Sequence, residues 1–249
     1  MLQVGLESIV KVLCQLLTRS HQIDLYRIEF MFESNKRFRR RDNNGKVLAF
    51  QTDKQLYEYI RVNNWEAIHR GPAYFAKEHI LEERQDGFLC FEAPLIFDID
   101  AHDFDRTCKC QRKQICNQCW SQHVVSAIDR VIRICNQLGF KKILAFYSGR
   151  RGVHVYVTDI AAWTLDVDQK RMIYNRIIED NTTKLDTAVL FEKGHLTKVP
   201  LLPHGSTGNM CMPLVDYHSF NPETDSVHKQ WVTPEMIQQW TTQVKNILL

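Results

Sequence analysis

The chain has 249 residues, eight cysteines and a formal net charge of +3, long enough to bury a sizeable core as one large domain or as a core with an embedded module. No apolar stretch approaches the roughly 20 residues of a membrane span. Met1 to Arg19 shows no basic segment followed by a continuous apolar one, so a reducing, intracellular setting is expected rather than a secreted disulfide framework.

Leu6, Ile9, Val10, Leu13, Leu16 and Leu17 recur at helical spacing and predict an opening amphipathic helix. Residues 26–33 and 46–51 read as two strands around Asp42-Asn43-Asn44-Gly45, an Asn-Gly turn sequence. Between them lies a basic run, Lys36, Arg37, Arg39, Arg40 and Arg41. Thr52 with Gln55 offers a capping-box start for a helix over Leu56, Tyr57 and Ile60. Residues 88–100 read as one long, buried strand ending in Asp98 and Asp100, followed by a cysteine loop. A helix from about Trp120 to Leu138 buries Val124, Ile128, Val131 and Cys135, with Gly139 where a C-cap glycine belongs. Ile143–Tyr147 and Val153–Thr158 predict a hairpin turned by Ser148-Gly149-Arg150-Arg151-Gly152. A helix at about 167–180 precedes a strand at Leu185-Asp186, and Thr233-Pro234 opens a last helix in N-cap, N1 order. No repeat, low-complexity tract or linker is visible. The expected fold is a mixed α/β (α+β, mixed-sheet) single domain over residues 1–249, with a metal loop inserted at about 105–122.

Three motifs carry chemistry. Asp98 and Asp100, two apart on a strand, point to one face and can bridge the same hard cations. Taken alone, an Asp-x-Asp after an apolar strand is common, and Asp103 and Asp105 nearby are alternative ligands. About fifty residues on, Ser148, Arg150, Arg151 and His154 with two glycines offer guanidinium forks, an imidazole and open backbone N–H groups to phosphate oxygens; alone, this segment reads equally well as a solvated turn. Cys108, Cys110, Cys116 and Cys119 form C-x-C-x5-C-x2-C, a spacing that in a reducing compartment binds Zn²⁺ more often than it forms disulfides. Four thiolates close a tetrahedron, so this zinc is structural, and Lys109, Arg112 and Lys113 decorate its loop. Cys14, Cys90, Cys135 and Cys211 sit in apolar contexts as ordinary buried thiols.

These segments, in this order, resemble the catalytic (small) subunit of archaeo-eukaryotic DNA primase. Phe97-Asp98-Ile99-Asp100 and Tyr147 through His154 look like its two signatures, with the zinc knuckle between them. Leu185-Asp186 and Lys198-Val199-Pro200 through His204, Thr207 and Gly208 resemble its third carboxylate and a further phosphate segment. Arg27-Ile28-Glu29-Phe30 and Gly71-Pro72-Ala73-Tyr74 look like its N-terminal boxes. His69 stands where the family usually has an acidic residue that contacts ribose. The chain also lacks the helical insertion that cellular eukaryotic members carry ahead of the Leu-Asp segment, which suggests a compact, viral-type member.

The resemblance implies a primase catalytic core with an inserted zinc loop. It implies two catalytic Mg²⁺ or Mn²⁺ ions on Asp98, Asp100 and Asp186, a structural Zn²⁺, and nucleotide contacts from Arg41, Ser148, Arg150, Arg151, His154, Lys198 and His204. Implied partners are a single-stranded DNA template, NTPs or dNTPs, a large or accessory subunit, and replisome proteins such as a helicase and a polymerase, with no membrane, in the nucleus or a viral replication compartment. A primase-polymerase of repair or damage bypass, a non-enzymatic zinc-stabilised nucleic-acid-binding protein and a metal-dependent nuclease are the alternatives.

Overall fold

The computed structural model describes residues 5–18, 25, 28–34, 37–39, 41, 48–63, 65, 67–74, 90–92, 94–105, 108, 110, 115–192 and 195–248. The expectations for Arg27, Lys36, Arg40, the turn at 42–45, Lys109, Arg112 and Lys113 lie outside these residues, as do the side chains of Glu29, Arg37, Cys90 and residues 71–74.

The chain opens with α1 (Leu6–Leu17), whose periodic apolar residues are buried as expected. β1 (Ile28–Ser34) pairs antiparallel with β2 (Arg37–Arg39), Phe32 opposite Arg39 and Ser34 opposite Arg37. This corrects the predicted hairpin: the partner strand lies inside the basic run, and residues 48–51 form no strand. An Asn-Gly sequence does not say which flanking segment pairs. Next comes α2 (Asp53–Asn63), opened by the Gln55 amide bonded to Thr52 Oγ1 at 3.2 Å while the Gln55 side chain reaches back to the Gln51 amide at 2.7 Å.

β3 (Ala67–Tyr74) pairs with β1, with β4 (Cys90–Glu92) and with β8 (Thr197–Lys198), giving a five-stranded sheet. The predicted single strand over 88–100 is two strands: β4 belongs to this sheet, whereas β5 (Leu95–Asp100) belongs to a second sheet of order β5-β7-β6. β5 begins directly after Pro94, and proline lacks the N–H a continuous ladder needs.

After a 3₁₀ turn, Ala101–Asp103, the cysteine loop leads into α3 (Asn117–Cys119), a π-helical segment Trp120–Val124 and α4 (Val125–Gln137). The helix starts three residues earlier than its apolar periodicity indicates because the Cys116 sulfur caps it, accepting from the Cys119 amide at 3.5 Å. Gly139, at φ 95°, ends it as expected.

The hairpin of β6 (Ile143–Tyr147) and β7 (Gly152–Val157) completes the second sheet. α5 (Ile160–Trp163) and α6 (Val167–Ile178) follow, the latter entered through an Asp166/Gln169 capping box. Leu185-Asp186 is not a strand; Asp186 is the N-cap of α7 (Thr187–Phe191) and accepts from the Ala188 amide at 2.8 Å. α8 (Pro234–Leu248) closes the chain with Thr233 Oγ1 accepting from the Met236 amide, and α1 packs between α8 and α2.

The three-stranded sheet is buried on both faces, which is why its strands read as near-continuous apolar runs. Leu95, Phe97, Ile99, Val153 and Val155 face a core built with α4, α6 and α7. Ile96, Leu144, Phe146 and Tyr156 face a second core shared with α1, α8 and the five-stranded sheet. Strand alternation then dictates that Asp98 and Asp100 continue the Ile96 face, beyond the point where the second core ends.

Candidate active site

The two sheets meet at a cleft of about 220 Å³. Asp98, Asp100, Ser148, Arg150, Arg151, Gly152 and His154 line it from the three-stranded sheet and its turn; His69, Thr197, Lys198 and His204 line it from the other side. The structure therefore gathers every predicted catalytic and nucleotide-contacting residue except Asp186, which adjoins the cleft, and Arg41. Asp186 binds its amide to the Asp98 carbonyl at 3.0 Å. Arg41 is exposed and is not among the lining residues.

Register explains the gathering. β5 and β7 place Asp98 opposite His154 and Asp100 opposite Gly152. β8 places Lys198 opposite His69. Gly152 is required there, since an added Cβ would lie 2.1 Å from the Ile99 carbonyl oxygen. The turn is braced at several points: the Ser148 amide donates to the Gly152 carbonyl at 2.9 Å, the Tyr147 hydroxyl to the Arg150 carbonyl at 2.9 Å, and the Thr207 hydroxyl to the Gly149 carbonyl at 2.7 Å. Gly149 sits at φ 81° with an added Cβ only 2.6 Å from the Asn209 carbonyl oxygen and 2.9 Å from the His204 Cβ, so the segment after Lys198 packs directly on the Ser148–Gly152 turn.

The electrostatics divide the cleft in two. Asp98 is pushed up to about 7, first by desolvation and then by the carboxylates of Asp100, Asp186 and Asp103. Burial and the same neighbouring carboxylates raise Asp103 as well. Arg151 Nη2 lies 2.6 Å from Asp100 Oδ2, and His154 Nε2 lies 3.7 Å from Asp98 Oδ1. On the cationic side burial lowers Lys198 to about 8, His154 to about 4 and His204 to about 3, with Lys198 adding to the depression of both imidazoles. Both histidines are thus neutral at pH 7. His154 Nδ1 is a buried polar atom with no hydrogen-bond partner among the described residues, as expected of a group that a ligand satisfies.

Several lining residues had no motif to flag them: Val189, His195, Leu196 and Thr197. The last three adjoin Lys198 in sequence, which is the only signal that could have found them. His69 Nε2 lies 3.1 Å from Glu33 Oε2, a pairing across β1 and β3 with no local trace; desolvation lowers the histidine's pKa.

Outside the cleft, the sulfurs of Cys108, Cys110, Cys116 and Cys119 lie within 4.8 Å of one another, a group that could hold a metal ion. Cys110 is drawn down to about 7 by hydrogen bonds from its neighbours that outweigh its desolvation. Glu223 anchors the helix that follows by accepting from the Asn117 amide at 2.9 Å. Cys14, Cys135 and Cys211 are buried, as expected of structural thiols.

Residues 97–180 match the DNA primase small subunit family. The chain is 34% identical over 156 residues to the DNA primase small subunit of Schizosaccharomyces pombe, covering 55% of this chain and 34% of that one. It is 33% identical over 123 residues to the Drosophila melanogaster small subunit, covering 49% and 28%. With the Pyrococcus abyssi small subunit PriS it is 33% identical over 118 residues, covering 47% and 32%. The matches thus span about a third of these relatives' length. Among solved structures it is similar to the polymerase domain of Mycobacterium tuberculosis Ligase D in complex with DNA, at TM-score 0.53 and 11% identity, covering 97% of this chain and 88% of that one. At that identity the likeness is one of fold.

Proposed function

We propose, from the premise that this chain is a relative of the archaeo-eukaryotic DNA primase small subunits, that it is a primase catalytic subunit synthesising primers de novo on single-stranded DNA. The observation that carries this reading is the convergence of Asp98, Asp100 and the adjoining Asp186 with Arg150, Arg151, His154, Lys198 and His204 on one cleft.

The carboxylates fit divalent, oxygen-liganded cations, because Asp98 is raised by desolvation and by the neighbouring carboxylates of Asp100, Asp186 and Asp103, charges that a cation would neutralise. Bound Mg²⁺ or Mn²⁺ ions would assist deprotonation of the attacking 3′-hydroxyl and offset the charge on the leaving pyrophosphate. The protein's own part is placement and charge. Arg150, Arg151 and Lys198 meet the triphosphate oxygens, the two arginines as planar forks and the lysine as a point charge. His154 and His204, neutral, hydrogen-bond to phosphate without adding a charge that the metals would oppose. Ser148 holds the turn by accepting from the Gly152 amide at 3.2 Å. Asp100, 2.6 Å from Arg151 Nη2, would hold metal through the same carboxylate, which would leave the Arg151 guanidinium to phosphate.

The four cysteines hold a structural Zn²⁺ that fixes the loop after the metal-bearing strand. NTPs or dNTPs are the substrates. A large or accessory subunit, a helicase and a polymerase are the expected partners, in a nuclear or viral replication compartment.

The test is de novo synthesis on single-stranded template with labelled NTPs and, separately, dNTPs. Asp98→Ala and Asp100→Ala should each abolish product while retaining fold and single-strand binding, and the double variant should be no worse, because the pair acts as one unit. Robust synthesis by Asp100→Ala would sink the reading. Product made only by extending existing ends with dNTPs would move the chain to a primase-polymerase of repair or bypass.

A further inference from the structure

We propose that Trp231, on a turn tied to the segment that braces the Ser148–Gly152 turn, is a stacking platform for an unpaired base of single-stranded nucleic acid, a role that rests on the nucleotidyl-transfer reading above. Trp231 is 65% exposed, in a chain whose other four tryptophans are not among the exposed large apolar side chains of the described residues. A single exposed apolar side chain is ordinary, but an indole offers a large flat face with a polar N–H, the combination that makes tryptophan a frequent contact residue.

What covers it follows from where it is tied. Trp231 ends a 3₁₀ turn, Lys229–Trp231, with its amide bonded to the His228 carbonyl at 2.9 Å. The Lys229 amide donates to the Gly208 carbonyl at 2.8 Å, and the His228 ring packs so closely on Gly208 that an added Cβ would lie 2.3 Å from its Nε2. Gly208 follows Thr207, whose hydroxyl holds the Gly149 carbonyl of the phosphate turn. A continuous set of backbone and ring contacts therefore fixes the indole relative to the groups that receive the triphosphate. The His228 and Trp231 rings pack with centroids 5.7 Å apart at 62°, a contact that leaves the Trp231 side chain mostly in solvent. Lys229 adds a cation to the same turn.

An exposed aromatic on a lysine-bearing turn, tied by hydrogen bonds to the segment that braces the Ser148–Gly152 turn, suits a nucleobase with its backbone phosphate. Stacking of this kind tolerates any base, as a template-reading enzyme requires. A protein partner would instead favour a contiguous apolar surface, and the flanking Lys229, Gln230 and Thr233 do not provide one.

Labelled single-stranded oligonucleotide should be titrated against wild type, Trp231→Ala and Trp231→Phe, with nucleoside triphosphate titrations and synthesis assays on the same proteins. Trp231→Ala should weaken the oligonucleotide about tenfold, with Trp231→Phe retaining most of the affinity. The slope of affinity against salt should not change, because no phosphate contact is lost. Triphosphate affinity should be unaltered, and exposure of the side chain predicts a melting temperature close to wild type. Equal oligonucleotide affinity in Trp231→Ala would overturn the platform, and so would a loss confined to the triphosphate, which would place the incoming nucleotide's base there. Wild type that binds oligonucleotide through Trp231 yet synthesises nothing would leave the platform standing and remove the primase reading; wild type that synthesises while Trp231→Ala binds normally would do the reverse.

Discussion

Asp98 is the side chain whose environment conflicts most with its ordinary charge, and its titration gives a direct check of the site. An unfolded aspartate titrates near 3.9, whereas desolvation and the Asp100 and Asp186 carboxylates bring Asp98 up to about 7 in the folded protein. A carboxyl raised by folding contributes stability below its unfolded value and loses it as pH rises through the folded one. In chelator, Asp98→Asn should therefore be more stable than wild type above pH 7, with the advantage gone near pH 4. Each tenfold change in proton affinity is ~1.4 kcal/mol, and partial exposure screens the effect, so the gain at pH 8 should be roughly 1–3 kcal/mol. Urea melts across pH would show it, and a pH-independent difference would contradict the clustered-carboxylate geometry. Arg151 offers the matching check on the cationic side. Replacing it by Ala should weaken nucleotide binding by on the order of ten- to a hundredfold, the value of a charge-assisted contact, and Lys should rescue poorly. Titration of metal-loaded protein with triphosphate decides it; unaltered affinity would make the turn merely structural.

Local signals were readable where the cause was local. The capping pairs at Thr52/Gln55 and Thr233/Pro234, the apolar periodicity of α1 and α4, and Gly139 all state their element within one or two turns of chain. Within the cleft, Asp98/Asp100 and Ser148–His154 were readable because they carry their chemistry in short motifs, whereas Val189, His195, Leu196 and Thr197 do not. Sheet membership was not. Nothing within residues 88–100 says that β4 and β5 belong to different sheets, or that β1 pairs with Arg37–Arg39, because strand pairing is decided by partners far along the chain. Asp186 looked like a strand residue for the same reason, its one ladder-like bond being to the Asp98 carbonyl. The β5–β7 pairing yields a sharp contrast between glycines. Gly152→Ala forces a methyl into the Ile99 carbonyl and should prevent native folding or cost more than about 4 kcal/mol. Gly139→Ala meets nothing within 4 Å and should cost only about 1–2 kcal/mol for its left-handed φ. Chemical denaturation of the two variants would settle the comparison. For the cysteine loop, carefully purified reduced protein should contain one Zn²⁺, and chelation should lower the melting temperature, because binding energy at such a site is also folding energy. Zinc-free protein of unchanged stability would remove the metal.

The cleft exists only because the two sheets are held against each other, and Lys198 is the seam. Its strand pairs with His69 of the five-stranded sheet, its carbonyl accepts the Tyr156 hydroxyl from the three-stranded sheet at 3.1 Å, and its ammonium, lowered to about 8 by burial, faces the cleft. A triphosphate gripped by Arg150 and Arg151 on one side and Lys198 on the other would link the two sheets. Its binding energy should then appear as stability of the whole chain. At about 100 times Kd a ligand that binds only the folded state contributes ~2.7 kcal/mol, and for a chain of this size that corresponds to a rise in Tm of roughly 5–10 °C. Nucleoside triphosphate with Mg²⁺ should produce such a rise in wild type, and the unphosphorylated nucleoside should produce almost none. Lys198→Met keeps the stem and the backbone bonds while removing a charge that burial penalises, so without ligand its own Tm should equal or exceed that of wild type. At the same triphosphate concentration about half or more of the increment should vanish, since removing one charge-assisted contact raises Kd by on the order of ten- to a hundredfold. Thermal melts of the two proteins with and without ligand make the comparison. Full stabilisation of Lys198→Met by triphosphate would show that the nucleotide is held by the Ser148–His154 turn alone, and that the five-stranded sheet contributes only a wall.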